Sequence, residues 1–234
     1  MFYVCGDTHG DLDWEKLNSE NFPEGKWLTK DDYVLICGDF GGVWDGSKYD
    51  KYVQDWYNKK PWTTLVVPGN HENWDLIDKL PTEKWHDGLV KKISDSIIVL
   101  MRGEVYEIDG RTIFTFGGAQ STDKKWRKEG VSWWAREMPS EEEYENGFKN
   151  LERYGYNVDY VFTHCAPNQV FNYLRARGYL SMGSTHDRLT GYLDLVRAEV
   201  EQKEKFKGWY LGHYHTDLDI AKYHIMYDWV ERLW

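Results

Sequence analysis

The chain has 234 residues, enough for one large core or one domain with a lid and too few for two independent cores. Its 29 Lys and Arg stand against 39 Asp and Glu, a formal net charge of −10, which disfavours a generic polyanion binder because non-specific nucleic-acid affinity comes from cations that neutralise phosphates. No apolar run approaches the roughly 18 residues that span a bilayer, no basic segment with an apolar stretch opens the chain, and three cysteines lack a CxxC pair, so no membrane role or export is expected and a cytoplasmic location is.

Short apolar runs bounded by Gly and Asp predict strands at residues 2–5, 33–37, 64–67 and 97–101. Helical composition at residues 11–18 and 49–59 lies between the first three. The opening therefore reads β-α-β-α-β, the grammar of a parallel sheet covered by helices. Residues 104–108 and 111–116 flank Asp109-Gly110, a two-residue turn pair that predicts a tight antiparallel hairpin. From residue 119 to 147 the chain is polar and Trp-rich, an excursion or lid on a single domain spanning 1–234, and Ser140 with the acidic run behind it predicts an N-cap and a helix start. Two further buried strands are expected at 159–164 and 208–211, with a closing strand or hairpin at 220–228. Thirteen Trp exceed what such a core needs, so some rings are expected to line a pocket or pack under a loop.

Potential metal ligands follow the strands. Asp7 and His9 come after the first, Asp39 after the second, and a Pro68-Gly69 turn presents Asn70 and His71 after the third. His164 ends the strand at 159–164, and His213 and His215 follow the strand at 208–211. Ligands in open α/β sheets gather at the carboxyl ends of strands, where loops converge on one crevice. His213 and His215 are read as alternating on a strand, which puts both on one face. Asn70 and His71 also suit an ordinary turn, and the same turn can present them to a metal. Carboxylate, imidazole and one amide without a thiolate set suit Mn, Fe or Zn in a mixed N/O site. The donors exceed the needs of one catalytic ion that keeps an open position, and a carboxylate such as Asp39 can bridge a pair. Two ions about 3.5–4 Å apart clamp an in-line displacement at phosphorus and lower the pKa of water enough to supply hydroxide. Cys5, Cys37 and Cys165 lie beside these residues and are expected to be buried and inert.

The ordered set Gly6-Asp7-Thr8-His9-Gly10, Gly38-Asp39, Gly69-Asn70-His71-Glu72, Thr163-His164 and Gly212-His213-Tyr214-His215 resembles the motif series of the calcineurin-like metallophosphoesterases. The resemblance runs from residue 6 to residue 215. It implies a four-layer α/β/β/α sandwich of two mixed β-sheets flanked by helices, with a dinuclear centre between the sheet edges. Matched motif by motif, it implies Asp7, His9 and His215 on one metal, Asn70, His164 and His213 on the other, and Asp39 as the bridge. His71 would bind no metal but would protonate the leaving group or stabilise the developing charge.

One departure stands out. Many members, notably the protein phosphatases, carry GDxxDRG, whereas here Gly38-Asp39 continues Phe40-Gly41-Gly42-Val43-Trp44-Asp45-Gly46. The Arg that would contact substrate phosphate is missing, which weakens a protein Ser/Thr phosphatase reading and leaves substrate-binding residues unassigned. Asp45 is the candidate acid for orienting His71. Asp123-Lys124-Lys125-Trp126-Arg127 and Ser132-Trp133-Trp134 are similar to segments of small bacterial members, and Trp126, Arg127, Trp133 and Trp134 either stack a base or grip a phosphate, or the segment only buries its own apolar surface. His186-Asp187-Arg188 lies outside the motifs and is treated as surface that can approach substrate.

The expected function is hydrolysis of small phosphomonoesters or phosphodiesters by metal-bound hydroxide, with two divalent transition-metal ions (Mn, Fe or Zn) as cofactors. Two other readings stay open. A non-catalytic binding or scaffold protein on the same fold normally has eroded ligands, and none of the seven positions is eroded. A nuclease shares the metal chemistry but meets the −10 charge, unless a groove beside residues 124–128 holds a short strand.

Overall fold

β-branched and aromatic runs build the frame of the protein, seen here in a computed structural model that describes residues 1–180 and 183–234. Its strands are β1 (Phe2–Cys5), β2 (Tyr33–Ile36), β3 (Thr63–Val66), β4 (Thr82–Trp85), β5 (Gly88–Ser94), β6 (Ile97–Leu100), β7 (Glu104–Ile108), β8 (Arg111–Phe116), β9 (Tyr160–Thr163), β10 (Gly208–Leu211), β11 (Leu218–Ile220), β12 (Tyr223–Ile225) and β13 (Val230–Arg232). The first sheet has the order β13-β1-β2-β3-β6-β5-β4, parallel along β1, β2, β3 and β6 and antiparallel at both margins. The second has the order β11-β12-β10-β9-β8-β7, parallel along β8, β9, β10 and β12.

Period-two alternation then sorts side chains into layers. Phe2 and Val4 of β1 meet Ile113, Tyr160, Phe162 and Tyr210 between the sheets, while Tyr3 and Cys5 face outward onto Val53 and Tyr57 of helix α1 (Lys48–Asn58). A short helix, α2 (Trp74–Lys79), follows β3. On the far side, Val161 and Trp209 face Leu151 of α3 (Glu141–Arg153), Leu174 of α4 (Asn168–Ala176) and Leu193 of α5 (Arg188–Val200). The result is an α/β/β/α stack of two mixed sheets. Each fully buried Phe, such as Phe2, Phe114 and Phe162, contributes roughly 1.5–3 kcal/mol relative to exposure.

The hairpin at Asp109-Gly110 forms with both residues left-handed (φ 51° and 73°), as a two-residue turn of that type requires. Residues 11–18 differ from expectation. They hold only a 3-10 turn, Trp14–Leu17, whose preceding Asp13 makes no capping bond because its carboxylate is committed to His9 and Tyr227 instead. A second hairpin, β4–β5, turns at His86 and Asp87, also left-handed, and its exposed, charged first strand hides the alternation that would have marked it. The 220–228 region resolves into the β11–β12 hairpin, and β13 then returns to pair with β1. Among residues 119–147 lie 3-10 turns at Lys124–Trp126 and Ala135–Glu137, and Ser140 with Glu143 forms the capping box that opens α3. Among the described residues, no helix is long and apolar enough to cross a membrane.

Candidate metal centre

The loops that leave β1, β2, β3, β9 and β10 are knitted together through their main chains. Thr8 and His9 N–H groups both donate to Asp39 O (3.1 and 2.7 Å), Gly212 N donates to His164 O (3.1 Å), and His213 N donates to both carboxylate oxygens of Asp7 (3.1 Å each). Two glycines of the motif series are dictated by this crowding. A Cβ on Gly69 would lie 2.1 Å from Asp39 Oδ1, and one on Gly212 would lie 2.1 Å from Asp7 Oδ1. Four of the motif side chains sit on left-handed backbone, His9 (φ 43°), Asp39 (47°), His213 (71°) and His215 (46°), a conformation that non-Gly residues adopt mainly where surrounding structure enforces it. This corrects the reading of His213 and His215 as neighbours on a strand: β10 ends at Leu211, and the two residues occupy a coiled loop to which period two does not apply.

The side chains form two tight donor groups, Asp7 with His9 and His215, and Asp7 with Asp39 and His164, each with ligand atoms within 4.8 Å of one another. His215 Nε2 is 3.2 Å from Asp7 Oδ2, and Asn70 Oδ1 is 3.0 Å from His164 Nε2. Asp39 Oδ2 stands 3.5 Å from His9 Nε2 and 3.4 Å from His164 Nε2. Neither tight group includes His213, whose ring packs edge-on to His164 with centroids 4.9 Å apart and lines the same cavity.

The chemistry of this donor set fits a pair of transition-metal ions. Asp7 and Asp39 are 0% and 1% exposed, and among the described residues no Lys or Arg side chain pairs with either carboxylate. Buried carboxylates need a cation, and here only imidazoles are at hand. Burial disfavours a charged His164, yet Asp39 and Asp7 outweigh it and raise its pKa to about 10. His9 is likewise raised to about 9 against burial, by Asp39, Asp7 and Asp13. Burial and the neighbouring His164 charge lower His213 to about 3. The orientation of the rings also suits metal binding. His164 Nδ1 donates to Cys37 O (2.8 Å) and His9 Nδ1 lies 2.7 Å from Asp13 Oδ2, which leaves each Nε2 aimed at Asp39, the arrangement by which ligating histidines are normally held. Asp13, four residues beyond His9, was not singled out from sequence, although that spacing is a usable signal.

His71 stands to one side. Its main-chain N–H donates to Asp39 Oδ1 (2.8 Å), its ring lies beside Trp44, and its Nδ1 is 3.1 Å from Arg127 Nη1. Burial lowers its pKa, Asp39 opposes the shift and Arg127 adds to it. The structure thus replaces the expected Asp45, which is exposed and accepts from Ser47 N (2.9 Å), with an arginine from the Trp-rich segment. Glu72 clamps the β2 and β3 loops, accepting from Gly41 N (3.1 Å) and Gly69 N, and burial together with Asp39 pushes its pKa up to about 7.

A cavity of about 250 Å³ lined by Asp39, Asn70, His71, Tyr179 and His215 opens over the donors. It shares Ser121, Thr122 and Tyr214 with a second of about 260 Å³ that reaches Lys124 and Lys125. A larger concavity, about 770 Å³, lies beyond Asp13 beside Glu24 and Arg232, and none of the motif donors lines it. In the Trp-rich segment Trp134 is buried against Trp44, whereas Trp126 is 81% exposed. His186 is held by Asn168 and Asn172, Asp187 caps α5 and Arg188 pairs with Glu141, so this triplet serves local structure. The three cysteines are free and buried, and burial raises all three thiols, Cys5 to about 12.

The family model for calcineurin-like phosphoesterases matches residues 1–217. No curated protein matches the chain. Among solved structures, a candidate 5′-nucleotidase from Staphylococcus aureus aligns at 14% identity over 97% of this chain and 48% of that one, with a TM-score of 0.46. The phosphopantetheinyl hydrolase from Mycobacterium tuberculosis aligns at 12% identity over 97% and 87%, with a TM-score of 0.45. A protein of unknown function from Aquifex aeolicus aligns at 16% identity over 70% and 80%, with a TM-score of 0.33. The chain spans about half the length of the Staphylococcus aureus protein.

Proposed function

The chain belongs to the calcineurin-like phosphoesterase family, and from that premise we propose that it hydrolyses phosphoesters of small molecules at a two-metal centre. The observation that carries this reading is the position of Asp39, a buried carboxylate whose Oδ2 faces both His9 Nε2 and His164 Nε2. Asp7, His9 and His215 would hold one ion, Asn70, His164 and His213 the other, and Asp39 would serve both. Two ions bound there would polarise the phosphoryl group and acidify a water.

The chain's own side chains supply the rest. The His71 N–H bond to Asp39 Oδ1 fixes the rotation of that carboxylate and leaves Oδ2 for the metal side. A guanidinium only donates, so Arg127 makes His71 Nδ1 an acceptor and the ring hydrogen resides on Nε2. With its pKa held down, His71 acts at neutral pH as a neutral hydrogen-bond donor to charge that builds on the leaving oxygen rather than as a proton source. Arg127, held by Asp123 (2.6 Å) and Ser132 O (3.0 Å), also places beside His71 the kind of cation that the loop after Asp39 lacks, and it is the side chain we assign to the substrate phosphate.

Hydrolysis of p-nitrophenyl phosphate and bis-p-nitrophenyl phosphate by metal-stripped protein reloaded with manganese tests this reading, with Asp39→Asn as background. Turnover of either above that background is the expected result. A preferred monoester directs the search to phosphorylated metabolites, and a preferred diester to cyclic or dinucleotides. Manganese-loaded protein without turnover of either would favour the scaffold alternative.

A further inference from the structure

The two ends of the Asn70 amide are equal in size and opposite in chemistry: Oδ1 can ligate a cation and the NH₂ end cannot. Which end faces the metal side is therefore decided by what the other end meets. Asn70 Nδ2 lies 3.1 Å from Ser121 Oγ. Ser121 Oγ lies 2.7 Å from Glu137 Oε2, and Ser121 N donates to Glu137 Oε1 at 2.9 Å. Glu137 has no exposed surface, and Lys124 Nζ stands 2.8 Å from its Oε1. A carboxylate paired in this way only accepts, so it takes the Ser121 hydroxyl hydrogen. What remains on Oγ is a lone pair, and of the two ends of Asn70 only the NH₂ end can satisfy it. Oδ1 must then point the other way, towards His164. The relay is itself tied down: Arg102, buried beneath it, donates to Glu137 O (2.6 Å) and to Gly117 O (2.9 Å).

We propose that Ser121 and Glu137 are positioning residues that set the direction of the Asn70 amide and thereby select for the ion on the Asn70–His164 side; the inference rests on the two-metal reading above. It gives the Trp-rich segment a function at the site, because both residues belong to it.

The test is Mn²⁺ binding to the metal-stripped full chain, followed by calorimetry and by electron paramagnetic resonance. Wild type is expected to take up two ions and show the signal of an exchange-coupled pair. Ser121→Ala is expected to weaken one ion roughly 10–100-fold, the usual cost of losing an outer hydrogen-bond partner, and to show an uncoupled mononuclear signal. Ser121→Thr keeps the hydroxyl and is expected to restore the pair. Glu137→Gln places an NH₂ group against Ser121, can reverse the relay, and is expected to resemble Ser121→Ala. Should Glu137→Gln fail to fold, the Ala and Thr variants decide the matter alone. An unaltered affinity and a coupled signal in Ser121→Ala would overturn the inference, as would loss of both ions together with a collapsed thermal midpoint. A wild type that binds fewer than two ions would instead overturn the two-metal reading.

Discussion

Arg127 Nη1 approaches His71 Nδ1 to 3.1 Å, and this contact sets the tautomer of the imidazole beside the candidate metal centre. A carboxylate in that place would hold a hydrogen on Nδ1 and favour the charged ring. The arginine does the reverse on both counts. His71 is therefore expected to carry its hydrogen on Nε2 and to titrate below the usual 6.5, as burial and Arg127 together require. Nitrogen-15 chemical shifts of the His71 ring check this directly. Arg127→Ala should move the titration upward, because it removes a cation and leaves Asp39 to act on the ring. A ring hydrogen found on Nδ1 in the wild type would refute the assignment.

The side chain of His71 is dispensable for metal binding on this geometry, because its link to Asp39 runs through the main-chain N–H (2.8 Å). His71→Ala is thus expected to keep its metal content while turnover drops roughly 10²-fold, the scale of losing one donor to developing charge. Elemental analysis and kcat on the same preparation separate the two effects. Wild-type turnover in a fully loaded variant would remove His71 from the reaction.

Much of the site was legible because short motifs encode local turns. Gly69-Asn70 and Gly212-His213 read as motifs for a physical reason now visible: any larger residue would strike Asp39 or Asp7. Ser121 and Glu137, and the contact of Arg127 with His71, escaped because nothing local marks them; Arg127 itself was legible only as a side chain able to grip a phosphate. Arg127 reaches His71 across 56 positions, and Glu137 occupies a 3-10 turn with no periodic pattern. Periodicity misled at His213 and His215, where left-handed backbone interrupts the strand. Composition misled at residues 11–18, where a helical mix of residues yielded to the demand of His9 for the Asp13 carboxylate. The strands of the parallel cores were the most legible part, since burial on both faces demands continuous apolar runs.

Arg102 is expected to be the most costly charged side chain to remove outside the centre. It is 4% exposed, stacks 3.5 Å over the Trp74 ring, pairs with Glu143 (3.0 Å) and donates to the carbonyls of Gly117, Arg136 and Glu137. Arg102→Ala leaves three carbonyls without this donor while Glu143 keeps its pairing with Arg136 (2.9 Å), so a loss of about 2–4 kcal/mol is expected. Denaturant unfolding of the metal-free protein measures it. A loss under about 1 kcal/mol would mean that water replaces the guanidinium at little cost.

The metal-free centre should also make the fold sensitive to alkali. Burial alone would lower the pKa values of His9 and His164, but Asp39 and Asp7 override it and raise them to about 9 and about 10. An unfolded histidine titrates near 6.5. Between that value and about 10 the folded state therefore binds more protons than the unfolded one, so stability falls as pH rises through this window. Below 6.5 the contribution of these two rings is fully present. Bound ions would take the place of the protons, so the loaded protein should lose less stability over the same range and should release protons on uptake. Thermal midpoints of metal-free and manganese-loaded protein from pH 6.5 to 9, with calorimetry in two buffers of different ionisation enthalpy, test both statements. Asp39→Asn removes the first-named source of the upward shifts and should flatten the metal-free curve. Equal slopes for wild type and Asp39→Asn would show that the buried carboxylate does not hold protons on these rings, and the case for a cation-demanding centre at Asp39 would fall with it.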